Sequence, residues 1–188
     1  MEEYLKQEPA DCLKVVLFGP ESTGKTTLSR QLARYYNSVW VPEYARMYLQ
    51  DKWNNERKTC EPKDLLPIAK GQMQSENSLA KKTDTVLVCD TDLLETKVYS
   101  EAYYLGTCDP MLEKYALENQ YDLYFLTYID TPWEADGIRD LQHKRAEAFQ
   151  QFQQTLQIYN QPYLLLKGDV ETRFQKAVET IDKLRRVT

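Results

Sequence analysis

The chain contains few of the residues that build metal centres or disulfide frameworks. It has one histidine, His143, and its four cysteines (positions 12, 60, 89 and 108) include no CxxC pair. A single histidine excludes a histidine-based metal site. Cysteines this far apart indicate free thiols in a reducing compartment rather than disulfides. We therefore expect a cytoplasmic protein whose cysteines stay reduced.

Long apolar runs and a basic charge balance are also missing. No apolar run approaches the roughly 20 residues that a helix needs to cross a bilayer. The N-terminal stretch MEEYLKQEPADC is too acidic and polar for a signal peptide. The net charge is -5, whereas a general nucleic-acid-binding protein would show a basic face or stripe. The sequence thus predicts neither a membrane nor a nucleic-acid partner, and it makes no prediction about oligomeric state.

The organisation of the chain is that of one domain. Its 188 residues contain no internal repeat, low-complexity tract or linker rich in Pro, Gly or Ser. We expect a single domain over residues 1–188, with residues 1–13 as an N-terminal extension. Short apolar runs alternate with helical patterns, which is typical of a three-layer α/β domain with right-handed crossovers. The predicted strands cover residues 14–18, 38–41, 85–89, 122–129 and 162–166.

The first predicted strand runs into a phosphate-binding motif. Residues 19–26, GPESTGKT, fit G-x-x-x-x-G-K-[ST] and precede an amphipathic helix, which is the context that this motif requires. Backbone N–H groups and the helix N-terminus would hold phosphate oxygens. Lys25 would reach the β- and γ-phosphates, and the Thr26 hydroxyl would bind Mg²⁺. The candidate ATP-binding residues of this motif are Gly19, Glu21, Ser22, Thr23, Gly24, Lys25, Thr26 and Thr27.

The phosphate-binding motif restricts both the fold class and the nucleotide that could donate the phosphate. We expect a P-loop NTPase fold with a five-stranded, mostly parallel sheet of order 2-3-1-4-5, helices on both faces and a small helical lid. A GTPase would need an N/T-K-x-D motif after a later strand. The nearest string, Lys81-Lys82-Thr83-Asp84, begins with lysine instead of Asn or Thr and precedes a strand, so a GTPase is not expected. The remaining interpretation is a small kinase that uses ATP and Mg²⁺.

Acidic residues follow the third predicted strand at the edge where ligands bind. Asp90 ends this buried strand and would hold Mg²⁺ together with Thr26. Asp92, two residues on, could contact the substrate, or it could cap the next helix. Sequence alone leaves these two roles of Asp92 open.

A second acidic candidate follows the second predicted strand. Glu43, in VPEYARMYL, could accept a proton from a sugar hydroxyl, while Arg46 binds a phosphate or steadies the acceptor. The alternative is a simple i,i+3 surface ion pair. The ligand-binding edge of the sheet favours the functional interpretation.

Arginines follow the fourth predicted strand, in a segment with the pattern of a lid. We place this lid at about residues 131–146, where Arg139 and Arg145 could close over the triphosphate and neutralise charge in the transition state. A solvated pair of charged helices is the alternative for this segment.

Taken together, GPESTGKTTL, PEYAR, KGQ, DTD and PWEADGIR resemble one family, in that order and at these spacings. It is the ribosylnicotinamide kinase domain of the bacterial NAD-biosynthesis regulators, among the P-loop nucleoside kinases. The resemblance runs from about Lys14 to the last helix. It implies transfer of the γ-phosphate of ATP to the 5′-hydroxyl of nicotinamide riboside. The DNA-binding and adenylyltransferase domains of bifunctional members have no counterpart ahead of Lys14, so we expect neither activity.

The resemblance also implies roles for individual residues. It makes Glu43, rather than Asp92, the base. It places Gln72 where related deoxynucleoside kinases read the amide edge of a nucleobase. Tyr44, Tyr48 and Trp53 are candidates for a ring that contacts the pyridinium through a cation–π interaction. The rival interpretations are a kinase of another nucleoside or nucleotide, and an ATP-binding regulatory module with little turnover.

Overall fold

In the computed structural model, which describes residues 2–104, 106–133 and 144–187, five parallel strands form one sheet of order β2-β3-β1-β4-β5. This arrangement confirms the predicted fold and strand order. Each strand is short and mostly apolar, as expected of strands that are covered on both faces. The strands are β1 (Leu13–Phe18), β2 (Trp40–Val41), β3 (Val86–Asp90), β4 (Leu123–Thr127) and β5 (Tyr163–Leu166).

Helices cover both faces of the sheet. None of the helices in the described ranges is long and apolar enough to cross a membrane. A π-helical turn, Ser100–Tyr104, continues α4, and 3₁₀ turns lie at Glu2–Leu5 and Pro62–Asp64. The helices are α1 (Lys25–Tyr35), α2 (Tyr44–Glu56), α3 (Leu65–Ala80), α4 (Leu93–Tyr99), α5 (Pro110–Glu118), α6 (Arg145–Ile158) and α7 (Val170–Val187).

The two hydrophobic cores follow from the alternation of side chains along β1. Val15 and Leu17 point to the face covered by α1 and α7. Val16 and Phe18 point to the opposite face, where α3, α4, α5 and α6 pack. Because successive side chains of a strand point to opposite faces, the unbroken apolar run of β1 serves both cores.

The N-terminal segment belongs to the larger core. Leu5 is fully buried in it. Gln7 fixes the segment, because its side chain donates to Glu76 Oε1 (2.8 Å) and its backbone N–H donates to Asn119. The segment 1–13, expected from the sequence as an extension, thus contributes to the packing from Leu5 onward.

All five parallel strands end at the same edge of the sheet, and the candidate residues follow them there. The phosphate-binding loop follows β1, Glu43 follows β2 and Asp90 ends β3. Register pairs Leu17 of β1 with Asp90 of β3, so the loop and the acidic residues lie side by side. Ligands of open α/β sheets bind at this edge.

Candidate active site

The phosphate-binding loop adopts the conformation that its glycines allow. Gly24 has a φ of 81°, in the left-handed region, and directly precedes α1. Gly19 has a φ of 141° and lies so close to β4 that a Cβ atom would approach Thr127 Oγ1 to 2.7 Å. Thr23 anchors the loop, because its hydroxyl donates to Pro20 O and lies 2.7 Å from Thr127 Oγ1. The loop is therefore held rigidly against the ends of β1 and β4.

Arg173, on α7, is a further anchor of the loop, which the sequence did not single out. Its guanidinium is buried and donates to the carbonyl of Thr23 (2.6 Å) and to that of Tyr128 (3.0 Å). It also pairs with Asp130. Arg173 thus satisfies one carbonyl of the loop and ties the loop to α7.

Lys25 lies at the centre of the loop and is nearly buried. Its ammonium donates to the carbonyls of Gly19 and Pro20, and it pairs with Glu95 Oε1 at 3.2 Å. Burial lowers the pKa of Lys25, but the charges of Glu95, Glu43 and Asp90 outweigh burial and the net shift is upward. Lys25 therefore carries a positive charge in a loop shaped for phosphate.

Thr26 and Asp90 form the pair expected of a Mg²⁺ site. The Thr26 hydroxyl donates to Asp90 Oδ2 at 2.6 Å. The other oxygen, Asp90 Oδ1, is buried and has no hydrogen-bond partner among the described residues. Burial and the nearby charge of Glu43 raise the pKa of Asp90 to about 6. A hydroxyl beside a carboxylate with a spare oxygen suits Mg²⁺, which takes few protein ligands and keeps waters.

Glu43 and Arg46 face the phosphate-binding loop from the start of α2. Glu43 directly precedes the helix, and its Oε2 lies 3.5 Å from Arg46 Nε one turn later. Both residues line the central cavity, and the Glu43 side chain is 27% exposed. The ion pair of the alternative interpretation is present, but it lies in the cavity wall.

The central cavity has a volume of about 530 Å³. The phosphate-binding loop forms one of its walls, and residues from other segments form the wall that faces the loop. This size suits a small ligand.

Lys52, which is buried, holds one segment of the cavity lining in place. It donates to Glu61 (2.6 Å) and Asp64 (2.5 Å) and thereby tethers the segment that carries Thr59 and Cys60. The described lining residues outside the loop are Glu43, Arg46, Leu49, Thr59, Cys60, Tyr99, Tyr103, Tyr104, Thr131, Pro132, Lys144 and Val170.

Three tyrosines of this lining were missed in the sequence. Tyr99 ends α4, and Tyr103 and Tyr104 belong to the π-helical turn that follows. The rings of Tyr99 and Tyr103 lie 5.4 Å apart. The π-helical turn, a feature often found at functional sites, aims these rings into the cavity. By contrast, Tyr44, Tyr48 and Trp53, the candidates from sequence, are not among the described lining residues.

Asp92 has the contacts of a helix cap. One carboxylate oxygen accepts the backbone N–H of Glu95 (2.9 Å), and the other accepts the hydroxyl of Tyr124 (2.7 Å). The residue is 1% exposed, and burial raises its pKa to about 7. These contacts favour the capping alternative, and the carboxylate is covered by protein.

Gln72 is buried behind the cavity and uses both ends of its amide on backbone groups. Its Oε1 accepts the N–H of Tyr44 at 2.8 Å, and its Nε2 lies 3.5 Å from the carbonyl of Thr91. The ring of Tyr44 packs on Gly71, where an added Cβ would overlap it at 2.2 Å. Gln72 therefore braces the start of α2 against the end of β3, and these contacts do not support the predicted contact with the acceptor ring.

Replacing Gln72 with leucine should lower turnover with every acceptor alike, by about five- to thirtyfold. The brace would be lost and two backbone groups left unpaired, a cost of roughly 1–2 kcal/mol. Steady-state rates with two different nucleosides measure this effect. Gln74→Leu, on the exposed side of the same helix, is the matched control. A loss confined to one nucleoside would instead indicate that Gln72 reads the acceptor.

The predicted lid is described only at its two ends. Arg139 lies outside the described residues. Arg145 begins α6, and its guanidinium donates to the carbonyls of Ser22 and Thr131, both at 2.7 Å. Arg145 thus contacts the phosphate-binding loop through backbone, whereas its neighbour Lys144 lines the cavity.

The sheet order, the loop with Lys25, and the Thr26–Asp90 pair define a P-loop nucleotide-binding domain with the topology of nucleoside and nucleotide kinases. The chain belongs to the family described as "AAA domain", which matches residues 14–173.

The similar curated proteins are NAD regulators. The chain is 30% identical over 187 residues to the trifunctional NAD biosynthesis/regulator protein NadR of Salmonella typhimurium, and 29% identical to that of Escherichia coli. In both comparisons the match covers 97% of this chain and 45% of the relative, so the chain spans less than half the length of these proteins. These similarities confirm the resemblance that the sequence motifs indicate.

The similar solved structures share the fold. A crystal structure of NadR protein in complex with NR matches with a TM-score of 0.76 and 24% identity, over 92% of this chain and 51% of that chain. Deoxyadenosine kinase from M. mycoides matches with a TM-score of 0.67 and 14% identity, over 91% of this chain and 100% of the other. The domain thus has the fold of P-loop nucleoside kinases.

Proposed function

We propose that this domain is an ATP- and Mg²⁺-dependent kinase that phosphorylates the ribose 5′-hydroxyl of nicotinamide riboside to give nicotinamide mononucleotide. One observation carries the proposal. The same cavity that contains Lys25 and Thr26 also contains a carboxylate, Glu43, and a group of tyrosines. The proposed donor and acceptor groups therefore line one cavity, and phosphoryl transfer requires such proximity.

The proposal gives each candidate residue a role. Lys25 and the loop N–H groups would bind the β- and γ-phosphates, and Thr26 and Asp90 would hold Mg²⁺, which when bound neutralises phosphate charge. Glu43 would accept the proton of the attacking hydroxyl, and Arg46 would steady the acceptor. Lys144 would contribute positive charge beside the phosphates, with Arg139 and Arg145 as the proposed lid cations.

Two observations support nicotinamide riboside as the acceptor: the tyrosines that line the cavity (Tyr99, Tyr103 and Tyr104) and the ligand of a related protein. Nicotinamide riboside carries a fixed positive charge on its ring, and a cation over an aromatic face gains roughly 0.5–2 kcal/mol. Tyr99, Tyr103 and Tyr104 offer such faces. NadR, the relative named above, has been crystallised with NR, which supports the same acceptor here.

Nicotinamide riboside should exceed uridine, cytidine and thymidine in kcat/KM by about 2- to 30-fold, the equivalent of the cation–π gain. A nucleoside panel with Mg-ATP, scored by ADP release, measures this preference. Tyr103→Leu should narrow the gap, whereas Tyr103→Phe, which keeps the ring, should preserve it. Equal or better use of a pyrimidine nucleoside would contradict the nicotinamide assignment and leave the kinase assignment standing. Absence of ADP release with every nucleoside would favour a regulatory ATP-binding module.

A further inference from the structure

The ammonium of Lys25 is directed back into the phosphate-binding loop. A lysine ammonium has three N–H donors. In this structure its three acceptors are the Gly19 carbonyl, the Pro20 carbonyl at 3.1 Å and Glu95 Oε1 at 3.2 Å. A phosphate oxygen can therefore take a donor of Lys25 only if one of these contacts is released.

Glu95 is the contact whose release has consequences for charge. It lies in the first turn of α4, is 2% exposed, and places its second oxygen 3.4 Å from the N–H of Gly19. Its carboxylate thus takes an ammonium and a loop N–H, the two kinds of donor that a phosphate oxygen would take. Burial raises the pKa of Glu95 to about 8, against the lowering effect of Lys25.

Among the described residues, Lys25 is the cation placed against Glu95. Those groups are Lys25 on α1, Glu43 ahead of α2, and Asp92 and Tyr99 at the two ends of α4, while Asp90 of β3 faces Lys25 itself. When a triphosphate draws Lys25 away, Glu95 loses this cation and gains an anion beside it. A buried carboxylate in that position is strongly disfavoured unless it becomes neutral.

We propose that Glu95 is a positioning residue that holds Lys25 inside the phosphate-binding loop and, at the alkaline pH where it is ionised in the free protein, takes up one proton from solvent when a nucleoside triphosphate binds. The inference rests on the proposed function only for the triphosphate ligand. The step is balanced: the Glu95 carboxylate and a solvent proton become a carboxylic acid, and the Lys25 charge passes from Glu95 to the phosphates.

The pH dependence follows from the direction of this proton transfer. Well below pH 8 Glu95 is already protonated in the free protein, so binding takes up no proton there. Above pH 8 the free protein has lost the proton and the complex retains it, so affinity falls as pH rises. The phosphate itself, with a second pKa near 6, is fully ionised across this range.

The test measures binding of a non-hydrolysable ATP analogue with Mg²⁺ by calorimetry between pH 7 and 9.5. At pH 8.5 the heats in two buffers of different ionisation enthalpy should show net proton uptake by the wild type. Its Kd should rise by about 10- to 20-fold between pH 8 and 9.5, whereas the Kd of Glu95→Gln should change by less than about twofold. Glu113→Gln, which removes a carboxylate on α5 that pairs with Lys97 of α4, should keep the wild-type slope.

Each result decides between the proposals. Equal heats in both buffers, or an undiminished slope in Glu95→Gln, would overturn the role of Glu95 and leave the proposed function intact. If Glu95→Gln does not fold, the proton count of the wild type decides alone. No binding of the analogue by folded wild-type protein at any pH would overturn the proposed function instead.

Discussion

Replacing Lys25 with alanine should abolish measurable phosphoryl transfer, a loss of at least about 10³-fold. The ammonium is the cation at the centre of the phosphate-binding loop, and its charge is preserved by three acidic neighbours. Without it, the negative charge that develops on the transferred group would lose its nearest fixed counter-charge. ADP release with Mg-ATP and nicotinamide riboside measures the effect. A variant that keeps most of its activity would show that the loop does not hold a reacting phosphate.

The structure adds a control that separates this chemistry from folding. Lys25 and Glu95 are both buried, so removing the lysine alone leaves a buried carboxylate without its cation. Breaking such a pair can cost about 3–5 kcal/mol, less whatever Glu95 regains by taking up a proton. The double variant Lys25→Ala/Glu95→Gln should recover stability in urea unfolding but not turnover. Recovery of turnover together with stability would reduce the role of Lys25 to a structural one.

The fold was predictable because its signals are local. A parallel strand covered on both faces is an unbroken apolar run, and five such runs, beginning with KVVLF and TVLVC, mark the five strands. The phosphate-binding loop is equally local, since strand, glycines, lysine and helix follow one another within residues 13–35. Thr26 and Asp90 were assigned from the ends of neighbouring strands, and the structure places them 2.6 Å apart.

Glu95 could not be predicted in the same way. In the sequence it is an ordinary acidic residue in the first turn of a helix, where the helix dipole favours one. Its partner Lys25 is seventy positions away, and the two meet only because β1 and β3 pair in a particular register. A contact across neighbouring strands can be predicted from sequence where a motif marks both partners, as for Thr26 and Asp90, and no motif marks Glu95.

Two residues, Asp92 and Gln72, had roles that the sequence alone could not determine and that their buried contacts in the structure indicate. Both residues carry polar groups that could contact a substrate, and each belongs to one of the short motifs quoted above, DTD and KGQ. The structure uses Asp92 on Tyr124 and the start of α4, and Gln72 on the backbone of Tyr44. Tyr103 and Tyr104, which line the cavity, belong instead to a π-helical turn, an irregularity that residue patterns rarely indicate.

Replacing Glu43 with glutamine should lower kcat by about 10²–10⁴, the usual effect of removing a general base. Glu43 lines the cavity opposite the loop of Lys25, and it is held at the start of α2 by the brace from Gln72 to Tyr44. The amide keeps the shape and one acceptor oxygen, so KM for the nucleoside should change little. Steady-state kinetics with the nucleoside varied at saturating Mg-ATP separate kcat from KM.

Arg46 supplies the matched comparison, because it lies in the same wall and pairs with Glu43 at 3.5 Å. Arg46→Gln should raise KM more than it lowers kcat, since it removes a group that steadies the acceptor and leaves the base in place. An unaltered kcat in Glu43→Gln would not transfer the role of base to Asp92, which is 1% exposed and whose carboxylate accepts the Glu95 N–H and the Tyr124 hydroxyl. It would show instead that this reaction needs no base, as a loose transition state with little bond formation to the acceptor allows.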